Sequence, residues 1–326
     1  MLVTELWGLG DVALAIPFLH TASGHADVTL VAKPHAAPLL ARFAPSVAHV
    51  PLTAPWTAFR GKYRLHRWPW AELRLVQSTL RAGRFDVGVS ARADPRDHLL
   101  LALAGTGRRL GFSRFGSAVF LTERLDRPVR PHRTEYWHAL TRALGWNPPL
   151  PEPRSTTSAS AARPIVVHSG AGQPAKVWPL ERFAAIVARL GAAGYFVRLL
   201  CDADQLDWWR TQQAAITAPA TVPDLLGALE GAAGFIGNDS GPGHVAALLG
   251  VPTFTFFGNQ HPAAFAPVHP SAAWIEGSPC AYKPCYDSCR FTVPHCLHDI
   301  PVDAAWPRIT AWLHPNVARA TRAPVV

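Results

Sequence analysis

GNDSGPGHVAALLGVPTFTFFG, residues 237–258, reads as a strand end, a tight turn, a helix and a second strand. Asp239, Ser240 and Gly241 make the turn. Pro242 falls near the first helical turn, where its missing N–H has no intrahelical partner to lose. Small residues carry the helix to Gly250, and residues 253–257 are β-branched or aromatic, as a buried strand requires. The glycines let the backbone approach a ligand, and the unpaired amides of a helix start point at it. Such a terminus is an anion site suited to a nucleotide pyrophosphate. Ser240 and His244 can add side-chain hydrogen bonds. Asp239 would repel a bare phosphate, so its expected work is to brace the turn or to bind a sugar or ribose hydroxyl. Asp239 and Ser240 also suit plain helix capping.

Upstream, HSGAGQPAKVWPLERFAAIVARL (168–190) repeats the arrangement: a strand, a loop of small residues, Lys176, then Trp178-Pro179 opening a helix. Ligands collect at the C-terminal ends of such strands, where loop amides and one mobile lysine charge form a polar cradle. Strand-like runs at 165–168, 196–200, 234–237 and 253–257 alternate with helix-like ones at 180–190, 204–214, 223–229 and 243–249, and 301–313 reads as a last helix. An acidic residue following a strand such as 196–200 often holds a ribose hydroxyl, which makes Asp204 and Asp207 candidates.

The first half alternates in the same way. Strands are expected at 2–6, 27–32, 85–90 and 109–112, and helices at 11–22, 34–43, 70–82, 98–104 and 133–144. This is the pattern of a mostly parallel, helix-covered α/β sheet. Between the halves, NPPLPEPRSTTSASAARP (147–164) holds five prolines and almost no large apolar residue. It cannot build a core and reads as a linker. The expected division is a domain over 1–150, a linker over 151–163 and a second domain over 164–326. In LWGLGDVALAIPFLH (6–20), Gly8 and Gly10 flank a turn, Asp11 stands at a helix start as a possible N-cap, and Pro17 interrupts the helix.

Hydrophobic residues make up 49% of the 326 and charged ones 16%, which suits a folded globular chain. No apolar run reaches the roughly 18–20 residues that span a bilayer. The first residues carry Glu5 and Asp11 and no basic cluster, so no signal peptide is expected and the expected location is cytoplasmic. The net charge of +9 belongs wholly to residues 1–150, with 19 Lys and Arg against 10 Asp and Glu; residues 151–326 balance at 12 against 12. A basic half can meet an anionic membrane face, a phosphorylated acceptor or nucleic acid. Within it, RGKYRLHRWPW (60–70) interleaves Arg60, Lys62 and Arg64 with Tyr63, Trp68 and Trp70. Cys280, Cys285, Cys289 and Cys296 suit a tetrahedral metal site in number but contain no CxxC pair, so reduced thiols are the preferred expectation.

Asp239-Ser240-Gly241-x-x-His244, then Gly250-x-Pro252 and a strand ending at Gly258, resembles the donor-site signature of glycosyltransferase family 9, the heptosyltransferases. Lys176-x-Trp178-Pro179 and the opening Gly10-Asp11 with Pro17 are similar to that family's other motifs. The resemblance implies a GT-B fold, two Rossmann-like domains facing across a cleft, with the donor in the second half and the acceptor in the first. It implies inverting transfer of a heptose from ADP-heptose to the inner core of lipopolysaccharide at the inner membrane face, with no cofactor and no catalytic metal. Ser240, Gly241 and His244 would hold the diphosphate, Asp239 would belong to the same donor site, Lys176 would lie near the phosphates, and Asp11 would be the general base. Arg60, Lys62 and Arg64 are the expected acceptor contacts. One protein-modifying branch holds iron with its cysteines, and a protein acceptor is the alternative. A dinucleotide oxidoreductase would need GxGxxG where GLGDVA stands. A nucleic-acid-binding module leaves the donor-type motif unexplained, so no nucleic-acid partner is expected.

Overall fold

The computed structural model describes residues 1–58, 60–146, 163–285 and 289–317. The chain divides into two compact units, Met1–Pro151 and Glu152–Val326. Most of the expected linker, 151–162, lies outside the described residues.

The first unit runs β1 (Leu2–Glu5), α1 (Leu9–Ser23), β2 (Thr29–Ala32), α2 (Ala37–Phe43), β3 (Ala48–Pro51), α3 (Trp70–Ala82), β4 (Val87–Ser90), α4 (Pro95–Leu103), β5 (Arg108–Gly111), β6 (Glu123–Arg124) and α5 (Arg133–Ala143). Its sheet has the order β3-β2-β1-β4-β5-β6 with every pairing parallel. Parallel neighbours need crossovers, and helices supply most of them. The order reverses between β1 and β4, which opens a crevice beyond the C-terminal ends of those strands.

The second unit runs β7 (Ile165–His168), α6 (Leu180–Ala192), β8 (Val197–Leu200), α7 (Leu206–Thr211), β9 (Ile216–Thr217), α8 (Val222–Leu229), β10 (Gly234–Asn238), α9 (Gly241–Leu248), β11 (Thr253–Phe257), α10 (Pro262–Phe265), β12 (Ala273–Glu276), α11 (His295–His298) and α12 (Val302–Asn316). The order β12-β11-β10-β7-β8-β9 is the first sheet's topology again, with the reversal between β7 and β10. Every residue of β7, β10 and β11 is buried, as strands covered on both faces must be. In the core Trp178 lies flat on Phe256, ring centroids 4.1 Å apart, and its Nε1 donates to the Ile300 carbonyl.

The expected alternation is present, with three differences. The sequence pattern does not reveal the edge strands β3, β6, β9 and β12, because edges are short and half-exposed and carry no apolar run. Pro17 does not interrupt its helix: α1 continues to Ser23, and the Pro17 carbonyl accepts the Thr21 hydroxyl at 3.1 Å. Burial of Val12, Ile16, Phe18 and Leu19 offsets the roughly 3 kcal/mol that an interior proline costs. The helix expected at 204–214 begins instead as a 3-10 turn, Ala203–Gln205, and α7 is short. Among the described residues no helix is long and apolar enough to cross a membrane.

Asp97 in α4 is fully buried, with Oδ1 accepting Trp56 Nε1–H at 2.9 Å, and burial together with Asp94 pushes its carboxyl up to about 7. The folded chain therefore keeps a proton that the unfolded chain releases near pH 4. Stability falls as pH rises from about 4 to about 7, by up to about 1.4 kcal/mol per unit from this group, and levels above that. Asp97→Asn should flatten this slope in urea unfolding curves taken at pH 5 and pH 8. Equal slopes in variant and wild type would remove Asp97 as its source.

Candidate active site

In the second unit the site is built where β7 and β10 end. Asn238 closes β10, and its Nδ2 donates to the carbonyls of Ser169 at 2.8 Å and Gly170 at 3.3 Å, while its Oδ1 accepts the Trp178 N–H at 3.0 Å. One side chain thus ties the Lys176 loop to the next strand, with buried Trp178 as the loop's anchor. The loop passes Asp202 so closely that a Cβ on Gly170 would lie 2.3 Å from the carboxyl carbon, so glycine is needed there. Lys176 Nζ donates to Asp239 Oδ2 at 2.7 Å, with the lysine side chain 22% exposed and the aspartate 5%.

Asp239 therefore braces the lysine, and neither it nor Ser240 caps the helix through its side chain. Ser240 occupies the N-cap position of α9, but its hydroxyl donates to the Asn238 carbonyl at 3.2 Å. The helix start, with Gly241 as its first residue and His244 buried in its second turn, is left without a side-chain cap. Gly250, at φ 77°, takes the left-handed position that ends this helix and sends the chain into β11. Lysine, glycine-rich helix start and strand ends thus meet at the reversal point of the sheet, where an anion is favoured.

Asp207 is 94% exposed and pairs with Arg210, and Asp204 is exposed. Neither faces this loop as Asp202 does. Asp202 is the second residue after β8, its carboxylate lies against Gly170, and its Oδ1 is 3.7 Å from His168 Nε2. Burial lowers the His168 pKa, with Asp202 pulling it back. The signal for Asp202 was its place as the first acidic residue after that strand.

In the first unit the corresponding crest holds Asp11. It is the third residue of α1 rather than the N-cap, which is Gly8. Asp11 Oδ2 accepts the Gly8 N–H at 3.0 Å, and Oδ1 pairs with the guanidinium of Arg92. Arg92 follows β4, and its Nε lies 3.5 Å from Glu5 Oε1 at the end of β1. Burial raises the Glu5 pKa. Burial also works against the charge on Arg92, but Asp11 and Glu5 outweigh it and its pKa is raised. Lys33, beyond β2, is lowered by burial with Asp11 and Glu5 opposing, and Arg133, at the start of α5, is lowered to about 10 by burial and by Arg92. One further carboxylate, Glu5, and three cations, Arg92, Lys33 and Arg133, therefore surround Asp11. Sequence reasoning missed Glu5 and Arg92, although both stand at the ends of the strands that flank the reversal point.

Arg60 and Arg64 are exposed and Lys62 is half-buried, in the segment between β3 and α3. Trp68 Nε1 donates to the Lys62 carbonyl at 3.2 Å, and Tyr63, Leu65 and Trp70 stand exposed beside them. All five cysteines are free thiols, and Cys296 is buried. Among the described residues no three His, Cys, Asp or Glu side chains are grouped to hold a metal.

Two doubly wound parallel units, one with an anion-type helix start at its reversal point, define an α/β protein of the GT-B class. The family model for glycosyltransferase family 9 (heptosyltransferase) matches residues 73–291, more than half of the chain, and the chain belongs to that family. Lipopolysaccharide heptosyltransferase 3 of Escherichia coli is 34% identical over 104 residues, a match spanning 29% of this chain and 31% of that protein's length. Among solved structures, E. coli ADP-heptose lipopolysaccharide heptosyltransferase II superposes with a TM-score of 0.72 at 22% identity, covering 97% of this chain and 99% of that one. E. coli heptosyltransferase WaaC with ADP gives 0.74 at 17%, covering 95% and 99%.

Proposed function

We propose that the protein transfers a heptose, with inversion, from ADP-heptose to the inner core of lipopolysaccharide. The observation that carries this reading is Lys176 beside the uncapped, glycine-rich start of α9. Family membership and the similarity to lipopolysaccharide heptosyltransferase 3 support it, as does the similarity to E. coli heptosyltransferase WaaC with ADP. No specific observation favours a protein acceptor or nucleic acid.

In this mechanism Lys176 and the first amides of α9, helped by Ser240, Gly241 and His244, take up the charge that develops on the departing diphosphate. Asp239 positions the lysine, and Asp202 accepts hydrogen bonds from the ribose hydroxyls. The acceptor oxygen bonds to the anomeric carbon as the carbon–oxygen bond to ADP breaks, and Asp11 takes the hydroxyl proton. The charge on the leaving group is met by these residues, so neither a cofactor nor a catalytic metal is required. Arg60, Lys62 and Arg64 contact the anionic acceptor. Together with exposed Tyr63, Leu65 and Trp70 they suit peripheral contact with the anionic cytoplasmic face of a membrane.

The test is incubation of the purified protein with ADP-heptose and heptose-deficient lipopolysaccharide in the presence of EDTA. Mass spectrometry should find one added heptose per acceptor, with ADP released. An acceptor of unchanged mass would overturn the reading, and activity that appears only when EDTA is omitted would overturn its metal-free form.

A further inference from the structure

The carboxylate of Asp11 is held from two sides, and Arg92, on one of them, is itself set against Glu5, Trp7 and His98. Arg92 pairs with Asp11 Oδ1, places its Nε 3.5 Å from Glu5 Oε1, and sets its guanidinium 5.1 Å from the Trp7 ring centroid. Its backbone carbonyl contacts His98 Nε2 at 2.9 Å. Burial holds the His98 pKa down, and its Nδ1 lies 3.0 Å from Ser117 Oγ. Ser117 Oγ accepts in turn from the Arg114 N–H at 3.0 Å. A surface ion pair worth about 0–1 kcal/mol does not call for such a scaffold. Glu5 adds a second sign: it is 1% exposed, and its Oε2 has no hydrogen-bond partner among the described residues. A buried carboxyl oxygen left unsatisfied is a cost that a fold carries at few places, and this one lies behind the arginine that grips Asp11.

We propose that Arg92 is the positioning residue of the base, orienting the Asp11 carboxylate for the acceptor hydroxyl and keeping it ionised, while buried Glu5 holds Arg92 in place. The proposal rests on the reading of Asp11 as base. Gly8 N–H on Oδ2 and Arg92 on Oδ1 fix the plane of the carboxylate. A guanidinium at hydrogen-bond distance also favours the ionised form, so its removal moves protonation towards neutral pH. The other charged or titratable groups facing this cluster are Lys33 and His35 beyond β2, Asp97 on α4 and Arg133 on α5.

The experiment compares Arg92→Gln and Arg92→Lys in the full chain. It follows kcat and donor KM against pH, and titrates the Asp11 carboxyl carbon by carbon-13 NMR. In Arg92→Gln, kcat at neutral pH should fall at least about tenfold with donor KM unchanged. The acid limb of kcat and the carboxyl titration should both move up by about one pH unit. Arg92→Lys, which keeps the charge but not the fork, should restore the limb and only part of kcat. An unmoved Asp11 titration in folded Arg92→Gln overturns the proposal. If the glutamine variant does not fold, wild-type kcat in Arg92→Lys overturns it. Normal turnover in Asp11→Asn would instead sink the base reading, whatever the NMR titration shows.

Discussion

Asp11→Asn should lower turnover by about 10²–10⁴-fold, because it removes the proton acceptor while keeping the shape of the side chain. Were Asp11 only a helix-start residue, asparagine would serve nearly as well and turnover would hardly change. The structure adds a cost that simple capping would not carry. Asp11 accepts from both Gly8 and Arg92, and asparagine has one acceptor oxygen for the two donors. Arg92 would then be left with Glu5 as its remaining carboxylate partner. Stability should fall by about 1–3 kcal/mol, the range of a lost charge-assisted bond in a partly buried site. Donor affinity should stay near wild type, since every donor contact proposed here belongs to the second unit. Single-turnover kinetics on folded variant decides the matter, and near-normal turnover would exclude Asp11 as base without touching the family assignment.

Lys176→Ala should weaken ADP binding by roughly 10- to 150-fold, corresponding to the loss of about 1.5–3 kcal/mol. Two effects add. The diphosphate loses a mobile positive charge, and Asp239, 5% exposed, loses the counter-charge that now masks it from an incoming anion. Inorganic pyrophosphate should lose affinity by a similar factor. Asp202→Asn should behave differently, weakening ADP while leaving pyrophosphate unchanged, because its contact is to the ribose. Calorimetry with both ligands separates the two roles. Equal ADP affinity in Lys176→Ala and wild type would remove the lysine from the site. An Asp202→Asn variant that binds ADP normally would return the ribose contact to other residues.

Local pattern was enough for the α/β class and for the donor-type motif. A helix start announces itself within one turn: Asp239-Ser240-Gly241-Pro242 is a contiguous statement about backbone amides, and Lys176-x-Trp178-Pro179 is another. Strands covered on both faces are equally plain, since residues 165–167 and Thr253–Phe257 are apolar or β-branched throughout. Edge strands such as Glu123–Arg124 obey no such constraint, and only pairing with β5 makes that dipeptide a strand. The continuation of α1 through Pro17 was likewise decided by burial, a sum over neighbours that a local rule does not contain. The same reason separates Asp11 from Arg92. The aspartate sits in a recognisable glycine-flanked turn, whereas the arginine becomes its partner only because β4 lies beside β1 in the sheet. That adjacency joins residues 81 positions apart into one ion pair. Asp239 shows the limit most simply: its sequence neighbours suggested a cap or a hydroxyl contact, but Lys176, 63 residues away, had already claimed the carboxylate. Backbone geometry within a turn is written in adjacent residues. The electrostatic partner of a side chain is written in strand order, which only the folded sheet supplies.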